Sequence, residues 1–145
     1  MSKDLEADDI RRLAIAHLFA RKAQSVASVD LRDRSSICDW FVLANCQSDV
    51  QLQAILSGVR RDLRKAGVVA LRTEAAAGTE WGVIDFGVVI VHVFLKDARD
   101  HYSLEKLWKD APQEEAKPED YPLTEALSDD AAGDDEGFES EETWS

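Results

Sequence analysis

Cysteine is scarce in this chain of 145 residues: only Cys38 and Cys46 are present. They lack the C-x-x-C spacing and have no nearby pair of histidines, which excludes the usual zinc and thioredoxin-like patterns. Cys38, within Ser36-Ile37-Cys38-Asp39-Trp40, is read as a reduced residue that packs, because free cysteine behaves as a small buried hydrophobe. No apolar run approaches the roughly 18 residues needed for a membrane-spanning helix. The catalytic spacings G-x-x-x-x-G-K-[ST], G-x-G-x-x-G after a strand, G-x-S-x-G and H-E-x-x-H are all missing. Three histidines, His17, His92 and His101, are scattered along the chain. The first nine residues carry four acids, unlike a secretory or organellar presequence, so the expected location is the cytoplasm.

What is present is a chain 45% hydrophobic and 32% charged, long enough for one domain with its own core. Its net charge of −12 is unevenly placed. Residues 113–145 hold 13 of the 29 acids and one base, Lys117, whereas residues 1–112 hold 16 acids and 16 bases. The acidity therefore belongs to the tail. A neutral body argues against a protein that binds nucleic acid by broad phosphate neutralisation, and no direct sequence-specific nucleic-acid contact is expected. Beyond Pro112 apolar residues become too few to offset the entropy of ordering. The division read from this shift is a domain over 1–112 and a disordered acidic tail over 113–145.

Within 1–112 the apolar residues alternate between helical and strand periods. Ile10, Leu13, Ala14 and Leu18 predict a helix over about 5–22, with His17 on its packed stripe. Val26–Leu31 and Trp40–Ala44 read as strands, the second apolar enough to be covered on both faces. Ser48 and Gln51 form a capping box for a helix whose stripe is Leu52, Ile55, Leu56, Val59 and Leu63 and whose stop is Gly67. Arg60, Arg61, Arg64 and Lys65 near its end suit the helix dipole, with contact to RNA the alternative. Strands follow at Val69–Thr73, Trp81–Phe86 and Val88–Leu95, the last two joined at Gly87, then a short helix over Asp97–Trp108. The class is α/β: a single domain with helices packed on a mixed sheet.

Two features come nearest to a catalytic site. Ser48-Asp49 follows a strand and opens a helix, as in nucleotidyltransferases, but Gln51 stands where a second carboxylate is needed, and one carboxylate cannot hold two metal ions. Asp85 ends an apolar strand, where it either caps the hairpin turn or presents a charge to a basic partner. His92, among valines, is read as a structural histidine. Neither catalysis nor a cofactor or metal is expected.

The segment from Trp81 through Phe94 and its continuation Arg99–Pro112 resemble the Iojap-like ribosomal silencing factor family, as does Asp30-Leu31 with Ser35–Val42 upstream. The chain departs from the family pattern at Asn45-Cys46, where Thr-Gly is usual, and at Val88, where Asp is usual. The resemblance implies a nucleotidyltransferase-like fold without catalysis. It implies binding to the large ribosomal subunit through the universal large-subunit ribosomal protein number fourteen, which blocks joining of the small subunit and represses translation when nutrients are short. It also implies homodimers off the ribosome. On that basis Trp81, Tyr102 and Trp108 are the aromatic anchors expected in the interface, with Asp85 and Glu105 answering basic groups on the partner. The competing expectations are an enzyme acting through Asp49 and Asp85, and a dimeric adaptor for some other basic protein.

Overall fold

The computed structural model describes residues 6–75 and 78–123. The first helix, α1 (Ala7–Ala20), begins where the Asp9 carboxylate accepts the Glu6 N–H, which satisfies one of the donors a helix start leaves open. Strands β1 (Gln24–Asp30) and β2 (Trp40–Cys46) follow, then α2 (Asp49–Lys65), β3 (Arg72–Glu74), β4 (Trp81–Asp85) and β5 (Val89–Leu95). Two short helices, α3 (Ala98–Tyr102) and α4 (Leu104–Leu107), lead to β6 (Gln113–Glu115) and a single 3-10 turn at Pro118–Asp120.

The six strands form one sheet in the order β3-β4-β5-β2-β1-β6. Only β2 and β5 pair in parallel, and every other neighbour is antiparallel. A parallel pair needs a long crossover, here supplied by α2 with β3 and β4. The alternation of side chains then divides the molecule. Val42, Ala44, Ile84, Val89, Val91 and Val93 point to the face covered by α1 and α2, where they meet Ile15, Leu18, Leu52, Ile55, Val59 and Leu63. Gly82 lets α2 approach β4 closely, because a Cβ there would lie 2.3 Å from Leu56 Cδ1. Val29, Leu43 and Phe94 point to the other face, beneath Ala98 and Leu104 of α3 and α4.

At α2 the Ser48 hydroxyl accepts the Gln51 N–H at 3.1 Å, as a helix cap should. The Gln51 side chain reaches one residue further back than a capping box requires and accepts the Gln47 N–H. Gly67, with φ 97°, ends the helix. Gly87 takes φ 92° in the β4–β5 hairpin, a conformation open to glycine at no steric cost.

Three expectations are corrected. The strand expected over Val69–Thr73 is shifted to Arg72–Glu74 and leaves Val69 and Leu71 exposed. The single helix expected over Asp97–Trp108 is broken at Ser103, which takes φ 53°. The boundary after Pro112 falls inside the folded unit. Gln113–Glu115 pair with Ala27–Val29, the Ala116 N–H bonds the Val26 carbonyl, and Tyr121 is buried against the α1/α2 core. Arg11 of α1 clamps this segment, donating to the Tyr121 hydroxyl at 3.1 Å while that hydroxyl donates to Glu114 at 3.1 Å. The remainder of the acidic tail, 124–145, lies outside the described residues.

Tyr121→Phe keeps the buried ring and removes only the bridge between two charged groups. We expect a loss of about 1.5 kcal/mol, the usual worth of a hydrogen bond to a charge. A thermal midpoint unchanged in the variant would show that backbone pairing by β6 alone holds the segment.

Candidate docking face

The sheet face away from α1 and α2 is only partly covered. Along it the register places Trp81, Val83 and Asp85 of β4 beside Phe94, His92 and Ile90 of β5, and those beside Asn45, Leu43 and Phe41 of β2. Trp81, Val83, Asp85, Ile90 and Phe41 are all half-buried.

The rings form a continuous ridge. Trp108 meets Phe41 edge-on at 6.3 Å between centroids, and Phe41 meets His92 at 4.5 Å. His92 lies 5.7 Å from Trp81, and Trp81 lies 4.6 Å from Tyr102. Phe94 stacks under Trp81 at 5.3 Å. Such offset and edge-on pairs add attraction beyond the area they bury. At the outer end Tyr102 is 42% exposed, and Leu107 of α4, at 72%, is the most exposed apolar side chain of the two short helices.

Of the expected anchors, Trp81 and Tyr102 are brought into direct contact. Trp108 stands at the other end of the ridge and packs in part against the second core. The two carboxylates face inward. Asp85 accepts the Gly87 N–H at 2.8 Å, which braces the hairpin, and lies 3.8 Å from Arg72 Nε. Glu105 holds Arg99 through both oxygens, the shortest contact being 2.7 Å. Arg99 in turn donates to Asn45 Oδ1 and to the Ser25 carbonyl. Glu105 thereby ties α4 to α3 and to the ends of β1 and β2.

Phe41, His92, Phe94 and Leu107 were not picked out as site residues from the sequence. Phe41 and Phe94 read as strand interior, and only the parallel register of β2 with β5 brings Phe41 next to His92. Leu107 lies in a segment whose sequence predicts one continuous helix. The Trp81 indole N–H donates to His92 Nδ1 at 3.0 Å, so the neutral imidazole carries its proton on Nε2. Burial alone lowers the His92 pKa, to about 4.

The arrangement does not support chemistry through Asp49 and Asp85. Asp85 pairs with Ile90, which lies beside Phe41 near the start of β2, whereas Asp49 follows the end of β2. Five residue steps of strand put the two ends about 16 Å apart. One Asp49 oxygen accepts the Gly78 N–H at 3.3 Å, and the other is buried without a partner. Burial pushes the thiols of Cys38 and Cys46 up to about 11, so neither is a ready nucleophile at neutral pH. Among the described residues no group of three His, Cys, Asp or Glu side chains could hold a metal ion, and no helix is long and apolar enough to cross a membrane.

Comparison with known proteins places this architecture. Residues 4–143 match the family described as ribosomal silencing factor during starvation. The ribosomal silencing factor RsfS of Halalkalibacterium halodurans is 36% identical over 104 residues, 72% of this chain and 89% of the relative. That of Bacillus subtilis is 35% identical over 103 residues, 71% of this chain and 87% of the relative. A crystal structure of a Chromobacterium violaceum protein, 32% identical, superposes with a TM-score of 0.69 over 72% of this chain and 88% of its own. Matched over nearly its whole length, the chain belongs to the family of ribosomal silencing factors.

Proposed function

We propose that this protein binds the large ribosomal subunit in the cytoplasm through the universal large-subunit ribosomal protein number fourteen, and that the bound protein blocks joining of the small subunit. Translation is repressed by steric exclusion when nutrients are short, and no reaction is catalysed. The observation that carries the proposal is the Trp81–Tyr102 pair, half-exposed on a sheet face that α3 and α4 leave partly open. Large rings held rigidly in such a position are the residues that dominate interface energies.

Leu107 extends the apolar surface beside them, and Trp108 supports the far end of the ridge. Asp85 and Glu105 act by bracing this face, because their oxygens already meet Gly87 and Arg99. The exposed arginines Arg60, Arg61 and Arg64 lie on α2, across the sheet from the ridge. They therefore take no part in this contact. Off the ribosome the same apolar face would be covered by a second copy of the chain.

The test is sedimentation of the purified protein with isolated large subunits, followed by addition of small subunits. Co-migration and loss of joined ribosomes are expected. Trp81→Ala should weaken large-subunit binding about thirtyfold, the equivalent of about 2 kcal/mol for an interface anchor. Absence of co-migration even at low salt would refute the assignment.

A further inference from the structure

The docking proposal leaves one polar group on this face without a purpose. His92 lies mid-strand with 6% of its surface exposed, and its Nε2 is buried without a partner. An apolar residue in that place would avoid the cost of an unmet donor. The imidazole's hydrogen bond is with Trp81. The register pairs Trp81 with Phe94 and Val83 with His92, which makes Trp81 and His92 diagonal neighbours on the same face. Long side chains reach across that diagonal. An indole N–H can only donate, and the imidazole nitrogen facing it at 3.0 Å can only accept while the ring is neutral.

We propose that His92 is a positioning residue for docking, a neutral hydrogen-bond acceptor that locks the Trp81 indole in the one orientation in which it meets the partner. The inference rests on the docking function proposed above and names the side chain that prepares its main anchor. Phe94 under the indole and Tyr102 beside it restrict translation of the ring. Stacking tolerates rotation of the ring in its own plane, and the single directional bond to His92 removes that freedom. An anchor ordered before encounter avoids the entropy of ordering it on binding. Phe41, set edge-on at 4.5 Å, holds the imidazole from its other side.

The test combines a spectroscopic signature with binding. In the unmodified full-length protein labelled with nitrogen-15, a nitrogen–nitrogen coupling across the bond should link Trp81 Nε1 to His92 Nδ1. The signal is assigned by its loss in Trp81→Phe among the 4 tryptophans. His92→Leu should make the Trp81 indole proton exchange rapidly with solvent and weaken binding to isolated large subunits about fivefold, the scale of immobilising one side chain. His92→Asn, whose side-chain oxygen falls near the position of Nδ1, should restore both. Absence of the coupling in the wild-type protein overturns the proposal, whether or not the leucine variant folds. Wild-type binding by His92→Leu, with Trp81→Ala impaired, overturns it and leaves the docking function standing. Wild-type binding by Trp81→Ala itself refutes the docking face, and the role of His92 falls with it.

Discussion

Asp62→Leu is expected to lower the stability of the domain by about 3 kcal/mol, since breaking a buried charged network by removing one member leaves the others uncompensated. The Asp62 side chain is 4% exposed and receives Arg21 Nε and Nη2, both at 2.9 Å, with His17 Nδ1 at 3.0 Å. It joins the C-terminal end of α1 to the last turn of α2. Burial by itself would raise the Asp62 pKa, but hydrogen bonds from His17 and Arg21 outweigh it and hold the carboxylate at about 2. The network therefore contributes its full stability above pH 4 and loses it as the pH falls through the range from about 4 to 2. A shift of the thermal midpoint by about 10 °C at pH 7 is the expected reading.

A second variant separates the ion pair from the carboxylate. A Cβ on Gly58 would lie 2.3 Å from Arg21 Cζ and Nε, so Gly58→Ala must drive the guanidinium off Asp62. Glycine to alanine inside a helix ordinarily stabilises by about 1 kcal/mol. Here the sign should reverse, and in an Arg21→Ala background it should return to stabilising. A stabilising Gly58→Ala in the wild-type background would mean that Arg21 finds an equally good position elsewhere and that the pair matters little.

The helical layer containing this network was the most legible part of the molecule. The stripe from Leu52 to Leu63 and its stops at Ser48 and Gly67 are local signals, and the buried faces of α2 follow from them. β2 and β5 announce themselves because inner strands are apolar at nearly every position, Asn45 and His92 being the exceptions. The segment 113–115 carries no such signal. Gln113, Glu114 and Glu115 are all exposed, and their charge reads as solvated tail. Backbone pairing with the edge of β1, the Glu114 contacts to Tyr121 and Arg11 and the Gln113 bonds to the Glu105 and Trp108 carbonyls place them. Tyr121, one ring among acids, carries no periodic pattern that would mark it as core, and the fold buries it. The docking face was legible as a set of aromatic residues and illegible as an arrangement. Trp81 and Tyr102 touch only because β4 lies next to β5 and α3 doubles back over its end. Asp85 and Glu105 looked like charges offered to a partner, and both are satisfied by neighbours that chain position alone does not reveal.

The His92 imidazole makes the protein sensitive to acid at a milder pH than Asp62 does. In the unfolded chain it takes up a proton as the pH falls through about 6.5, whereas in the fold burial keeps it neutral down to about 4. Between those values the unfolded state binds the extra proton, so each step towards acid favours unfolding by about 1.4 kcal/mol per pH unit. The accumulated loss is about 3 kcal/mol by pH 4, a large share of the 5–15 kcal/mol that a domain of this kind typically has. Denaturant midpoints measured at intervals from pH 7 to 4.5 should therefore fall steadily in the wild type. The fall should be much shallower in His92→Asn, which cannot titrate and keeps an acceptor for Trp81. His17 and His101 are present in both proteins, so the difference between the two curves isolates His92. Parallel curves for wild type and variant would show that the imidazole is solvated well enough to be protonated in place, and the acceptor beside Trp81 would then be lost below about pH 6.5.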